Sequence, residues 1–297
     1  MTFNLQNYLK EKQQLIDIHL REHWMDPDNT DPEKLHQSMH YSLFAKGKRI
    51  RPILVMASAE ALKIPAIDVL PIAASLEMIH VFSLIHDDLP AMDDDDLRRG
   101  QPTNHKVYGE ATAILSGDAL LAQAFVPLAE LNAKKYNPLN ILKLIRTFAF
   151  ATGTKGMIAG QMIDLESEGK KIDLERLKKL HRHKTGALIR LAVEAPAILA
   201  DTKKEALDHM IQYGESIGLA FQIADDVLDI VGGEELGKDI GSDEERGKST
   251  YPSLLGLEES KKEAQKALDQ ALRALDYFDE SAIPLRELAK FIVNRNH

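Results

Sequence analysis

A large all-α bundle is expected of this 297-residue chain, on three observations. Apolar residues recur at helical spacing in nearly every segment, and no run alternates apolar with polar residues as a half-buried strand would. Residues 71–86 carry one formal charge, Glu77, so that stretch reads as a helix buried on all sides. Gly and Pro are scattered and no period repeats, so a single domain over residues 1–297 is expected.

The elements follow in chain order. Residues 4–24 are amphipathic, with Leu5, Leu9, Ile16, Ile18 and Leu20 set among polar residues. Asp31 and Pro32 supply an N-cap and a first-turn proline for a helix reaching about Phe44. Ala45-Lys46-Gly47 breaks that helix, and Pro52 opens the next, to about Leu62. The buried helix runs over 67–88 and is closed by Pro90. Helical spacing continues over 111–131, 138–166, 173–199, 203–231, 260–277 and 281–295.

Composition narrows the function. A net charge of −9 disfavours a nucleic-acid partner, which needs a basic face. With no cysteine there are no disulfides and no thiolate chemistry. The longest uncharged run, 119–129, is shorter than a membrane span, and the N-terminus MTFNLQNYLKEKQQ has no apolar signal core. A cytoplasmic location is expected.

Six aspartates occupy the ten positions from 87 to 96 (Asp87, Asp88, Asp93, Asp94, Asp95 and Asp96), and Arg98 and Arg99 follow. The buried helix delivers Asp87 and Asp88 to the rim of a core, where carboxylates cost desolvation unless a cation compensates them. Oxygen-only ligands point to a hard cation, Mg²⁺, held by carboxylates together with substrate phosphates. A calcium-binding loop fails on register, because counting from Asp93 puts Arg98 at position six, where glycine is needed. A carboxylate and a phosphate charge 4 Å apart repel by roughly 4 kcal/mol at an effective dielectric near 20, so a divalent ion between them is required.

Four further stretches carry chemistry. Gly47-Lys48-Arg49-Ile50-Arg51-Pro52 places three cations just before a helix start, where backbone N–H groups also favour an anion. His80 lies seven residues before Asp87 and so shares its helix face. Gln222, Asp225, Asp226 and Asp229 form one stripe of a helix at i, i+3, i+4 and i+7. Like charges there destabilise a helix unless neutralised, which suggests a second metal-binding wall. Residues 237–252 end in Gly247-Lys248-Ser249, but Ser242 stands where a phosphate-binding loop requires glycine, and no strand precedes it. Lys238 and Lys248 are instead read as loop-borne phosphate ligands. His183-Lys184-Thr185-Gly186, within a helical stretch, is less specific by itself.

Two acidic clusters on separate helices, with the Gly-Lys-Arg-x-Arg-Pro turn, resemble the trans-prenyltransferases, the isoprenyl diphosphate synthases. DDLPAMD (87–93) is similar to the family's first aspartate-rich motif in its long form, and DDVLD (225–229) to the second. The resemblance implies an all-α bundle around a central cavity, Mg²⁺ dependence and a homodimer. It also implies condensation of isopentenyl diphosphate with dimethylallyl and geranyl diphosphate. The steps are ionisation of the allylic C–O bond, attack by the isopentenyl double bond, and proton loss. Implied isopentenyl diphosphate ligands are Lys48, Arg51, His80 and Arg99. Those of the allylic diphosphate are Arg98, Lys184, Thr185, Gln222 and Lys238, with Lys248 assisting. Lys184, Thr185 and Gln222 are also implied to present oxygen dipoles to the allylic cation. Asp87, Asp88 and Asp93 of the first motif and Asp225, Asp226 and Asp229 of the second are the implied Mg²⁺ residues, with Asp87, Asp93 and Asp225 the ligands matched most directly. Gly160-Gln161 and Asp164 resemble a helix-borne lining of the cavity.

Geometry bears on the first motif independently. Asp87 and Asp93 would sit about 240° apart on a continuous helix, so only a bulge at Pro90 can bring Asp93 round. Product length is expected to depend on Phe82 and Ser83, five and four residues before Asp87. An aromatic at the earlier position matches bacterial family members that make farnesyl diphosphate, with geranylgeranyl diphosphate as the alternative. A terpene cyclase needs no second diphosphate site, and Lys48, Arg51 and His80 argue against it. A non-catalytic subunit of a heteromeric synthase would be expected to lose one acidic cluster, and this chain keeps both.

Overall fold

The apolar spacing resolves into helices at every expected place in a computed structural model, which describes residues 3–24, 31–231 and 248–293. The helices are α1 (Leu5–His23), α2 (Glu33–Leu43), α3 (Ile50–Ala61), α4 (Leu70–Asp87), α5 (Asn104–Tyr108), α6 (Glu110–Gln123) and α7 (Val126–Ala129). They continue as α8 (Pro138–Thr152), α9 (Met157–Ser167), α10 (Leu174–His181), α11 (Ala187–Leu199) and α12 (Lys204–Val231). The set closes with α13 (Tyr251–Leu255), α14 (Leu257–Ala274) and α15 (Ile283–Val293). The fold is all-α; the β structure among the described residues is a hairpin pairing Leu97–Arg98 with Gln101–Pro102. Its turn residues Arg99 and Gly100 both have positive φ, 54° and 78°, as a tight two-residue hairpin requires.

Several boundaries differ from expectation. Asp31 does not cap α2: Pro32 occupies the cap position and no side chain accepts there. Pro52 does not open α3 but sits at its third residue, because Arg49 takes a left-handed conformation (φ 50°) and the helix begins at Ile50. The stretch 111–131 divides after Gln123, since Pro127 cannot donate to the carbonyl four residues back. The stretch 138–166 divides at the Gly153-Thr154-Lys155-Gly156 turn, where two poor helix formers fall together. The stretch 173–199 is interrupted by a wide π-type turn, Arg182–Gly186.

Helix α4 sits in the middle of the main core, packed by α1, α2, α3, α6, α7 and α11. Ala66–Asp87 and Glu110–Ala129 do reach the length and hydropathy of a membrane span, which corrects the estimate from uncharged runs alone. The first has 72% of its most apolar window inside the protein, as a core helix does; the second has 39%. A smaller apolar cluster, Leu177, Ile223, Tyr251 and Ala264, ties α10, α12, α13 and α14 together beside the main core.

Candidate active site

The end of α4 supplies the first acidic wall. Beyond Asp87 the chain folds back in short turns, and the Asp93 N–H donates to the Asp87 carbonyl at 2.9 Å. Asp93 is thereby brought beside Asp87, as the bulge at Pro90 was expected to allow. Burial pushes the Asp87 carboxyl up to about 6; Lys184 opposes the shift and Asp93 adds to it. Asp88, 3% exposed, is ion-paired to Arg98 Nε, and Arg98 Nη2 also reaches Asp95 at 3.0 Å. Burial likewise pushes Asp88 up to about 6, against Arg98. Asp88, Arg98 and Arg99 line a small neighbouring pocket rather than the cavity that Asp87 lines.

The basic turn is built on a buried stay. Arg49, 4% exposed, pairs with Glu77 at 2.6 Å and Asp17 at 2.9 Å, and donates to the Leu43 carbonyl at 2.6 Å. It points into the protein, while Lys48 lies 5.9 Å from the centre of the Phe291 ring. Arg51 Nη1 stands 3.2 Å from His80 Nε2. A guanidinium only donates, so that nitrogen accepts and His80 is neutral. Burial first, then the field of Arg51 and Arg99, holds its pKa well below the ordinary value. Here His80 orients Arg51. The Arg99 guanidinium comes close over Gly47, where a Cβ would lie 2.4 Å from Nη1 and move the arginine tip aside.

The second wall is α12. Thr185 Oγ1 donates to Gln222 Oε1 at 2.5 Å, joining the wide turn to this helix. Asp225 and Asp229 are half-buried on the same stripe, whereas Asp226 is buried and accepts the Tyr251 N–H at 2.8 Å. Beside the first wall, Lys184 Nζ pairs with Asp164 at 2.6 Å. Lys248 Nζ lies 3.6 Å from Asp164 and 3.7 Å from Asp93. Burial raises the pKa of Asp164, but Lys184 and Lys248 prevail and hold it below the usual carboxylate range. Burial lowers that of Lys184, but Asp164 and Asp87 prevail, so it stays charged. Gly160 makes this arrangement possible: a Cβ there would fall 2.1 Å from the Lys184 backbone nitrogen. Lys238 lies outside the described residues.

A cavity of about 390 Å³, within the usual range for small-molecule sites, opens beside Asp87 and the wide turn; no residue of α12 lines it. Arg51, His80, Asp87, Lys184 and Thr185 give its polar lining, and Phe82, Met157, Ile158, Met162 and Leu188 its apolar lining. Phe82, 4% exposed, meets the His86 ring edge-on at 5.5 Å. Ser83 lines the cavity too, with its hydroxyl turned back to the His80 carbonyl. Both amide atoms of Gln161 are buried in this lining without a hydrogen-bond partner among the described residues. A larger open groove, about 940 Å³, runs outside the site between α8, α11 and α12, but no residue of either acidic motif lines it.

Among the described residues no three His, Asp or Glu side chains converge as a ready-made metal cage. The donor set nevertheless fits Mg²⁺, which takes one or two carboxylates and completes its shell with water and phosphate. Asp87, half-buried beside Asp93, is an acid that a hard cation would relieve.

The profile of the polyprenyl synthetase family matches residues 32–283, most of the chain. The chain belongs to that family. A geranylgeranyl diphosphate synthase from Cyanophora paradoxa is 49% identical, covering 99% of this chain and 98% of the relative. A farnesyl diphosphate synthase from Geobacillus stearothermophilus is 43% identical, covering 99% of each. The apo crystal structure of an FPP/GFPP synthase from Zymomonas mobilis superposes with a TM-score of 0.87 at 40% identity, over 98% of this chain and 99% of that one. The chain is therefore a prenyltransferase. Its relatives carry names that differ in product length. Two features of the site were missed at the sequence level: the inward direction of Arg49, and the placing of Asp164 between two lysines. The signal for the first was Glu77, the one charge in the buried stretch, which had to have a partner.

Proposed function

We propose that this chain condenses isopentenyl diphosphate with dimethylallyl and then geranyl diphosphate in a Mg²⁺-dependent, head-to-tail reaction, releasing farnesyl diphosphate. The observation that carries the reading is a single cavity lined both by Arg51, His80, Asp87 and Lys184 and by the packed ring of Phe82. Bound between Asp87, Asp93 and Asp225, Mg²⁺ would supply neutralisation of the departing diphosphate charge. Lys184 and Lys248 hold cationic donors on the same side, and Asp164 keeps both in place. Oxygens of Thr185 and Gln222, fixed against each other, provide dipoles for a developing allylic cation. The apolar lining of the cavity keeps water from that cation. Lys48 and Arg51, with Arg51 oriented by His80, hold the second diphosphate.

Product length is tested at Phe82. Phe82→Ala should shift the products from fifteen carbons to twenty or more, read by chain-length analysis of radiolabelled products. Phe82 stands five residues before Asp87, a backbone rise of about 7.5 Å along α4 and a depth suited to a short prenyl tail. Loss of a buried ring costs about 3–5 kcal/mol, so the variant must first show a cooperative melt. A folded variant that still stops at fifteen carbons moves the floor elsewhere, with Ser83 next to be enlarged. A second reading, release of geranylgeranyl diphosphate, is favoured by the name of the Cyanophora relative. The same assay on the unaltered chain decides between them.

Lys48→Ala and Arg51→Ala should each raise KM for isopentenyl diphosphate about ten- to hundredfold, the worth of one charge-assisted contact, and leave the allylic KM much less changed. Equal losses for both substrates would assign this turn to the wrong pocket. We also propose a homodimer, for which light scattering should give about twice the chain mass of 33.2 kDa. Leu120, Ala124 and Leu128 of the 119–129 stretch turn into the core while Ala122 and Val126 stay exposed, and Ile114 and Leu115 of α6 with Leu139 and Leu142 of α8 extend the apolar surface available for it. A monomeric mass at micromolar concentration overturns this.

A further inference from the structure

Asp226 stands beside Asp225 in the second acidic motif, yet one oxygen of its carboxylate is taken by a backbone N–H. Oδ2 accepts the Tyr251 N–H at 2.8 Å, and Oδ1 lies 3.9 Å from His181 Nε2, beyond hydrogen-bond reach. The rings of His181 and Tyr251 stack, with centroids 5.7 Å apart and planes 28° apart. All three residues are buried: Tyr251 is 1% exposed, Asp226 6% and His181 7%. Three elements meet at this point. His181 ends α10 and leads directly into the turn carrying Lys184 and Thr185; Asp226 belongs to α12; Tyr251 opens α13.

Tyr251 follows Lys248 by three residues, and the short link between them is held as well. Thr250 and Ser253 cap α13 reciprocally, and the Ile172 N–H donates to Ser249 Oγ at 3.4 Å. The N–H of a first helical residue has no acceptor within its own helix, so Asp226 satisfies an otherwise orphaned donor. From that anchor the chain runs back to Lys248, whose Nζ stands between Asp93 and Asp164.

We propose that Asp226 is a positioning residue: it fixes the Tyr251 backbone so that Lys248 is delivered to the diphosphate end of the cavity, and it is not a metal ligand. This rests on the reading of the site as a prenyl diphosphate site. Asp225 and Asp226 then divide the motif between them, one left for the reaction and the other holding the 248–250 link that carries Lys248. The Tyr251 hydroxyl and His181 Nδ1 have no partner among the described residues, so both rings contribute by packing.

Amide hydrogen exchange on metal-free, substrate-free protein tests the anchor directly. The Tyr251 amide should exchange about tenfold faster in Asp226→Ala, the equivalent of one lost hydrogen bond. It should stay near the wild-type rate in Asp226→Asn, whose amide oxygen still accepts, and in Asp225→Asn. Asp226→Ser, too short to reach, replaces the alanine variant if that one does not fold. In steady-state kinetics Asp226→Ala should raise KM for the allylic diphosphate about tenfold at an unchanged midpoint of Mg²⁺ activation, and Asp226→Asn should recover most of it. An unchanged exchange rate in Asp226→Ala overturns the anchor. A shift of the Mg²⁺ midpoint in Asp226→Asn as large as that in Asp225→Asn makes Asp226 a metal ligand and overturns the proposal. The exchange result stands whether or not the chain transfers prenyl groups, so the two failures are distinguishable.

Discussion

Asp87→Asn is expected to cut kcat by about three orders of magnitude or more and, at pH 7, to raise the melting temperature of the metal-free protein. The first effect follows from removing a carboxylate that holds a charge-neutralising ion: each 1.4 kcal/mol of lost transition-state stabilisation is about tenfold in rate. The second follows from the direction of the pKa shift. Burial pushes the Asp87 carboxyl from its ordinary 3.8 up to about 6, so the ionised form is held in the fold at a cost. That cost grows as pH rises from about 3.8 to about 6 and is fully present above it. Asparagine removes it, so the gain in melting temperature should be complete at pH 7 and vanish below about pH 3.8. Thermal melts across pH in the presence of chelator, beside turnover with saturating Mg²⁺, check both. Near-normal turnover in Asp87→Asn would sink the two-wall reading of the site.

Arg49→Ala should destabilise the protein by about 3–5 kcal/mol, because it strands the Glu77 carboxylate in a core that offers no other cation as close among the described residues. For a chain of this size that is a fall in melting temperature on the order of 6–20 °C, using about 2–4 °C per kcal/mol. The turn carrying Lys48 and Arg51 loses its footing at the same time, so KM for isopentenyl diphosphate should rise although Arg49 touches no substrate. Replacing both partners with apolar residues, Arg49→Met with Glu77→Leu, should return much of the stability, since an apolar pair avoids the desolvation of two charges. A loss under about 1 kcal/mol for the single alanine variant would mean that the pair is solvated and contributes little.

Local chemistry was legible in the sequence and distant contact was not. The buried character of α4 could be read from residues 71–86, because one charge in sixteen positions leaves few alternatives. The return of Asp93 toward Asp87 could be read because proline and helical phase are local constraints. The roles of Arg49 and Asp226 could not, since each depends on a partner 28 or 25 residues away, Glu77 and Tyr251. An arginine in a basic run looks like a third phosphate ligand until the helix beneath it is in place. The same limit applies to Asp88, whose neighbour in sequence lines the cavity while it pairs with Arg98. The interruption at Arg182–Gly186 was invisible for a different reason: helical spacing is intact on both sides of it, and a scan for periodicity runs straight across.

That interruption also determines where the chain can change length. A π-type turn amounts to one extra residue within a helix, and it rotates the helix on its N-terminal side by about 100° relative to the helix on its C-terminal side. Deleting one residue from 182–186 would give a better helix by every local measure. It would also swing α10 and His181 about a quarter turn away from Tyr251, or else turn Lys184 off Asp164. Insertions and deletions that surface loops absorb freely should therefore be lethal to activity in this five-residue window, even where the encoded protein folds and melts normally.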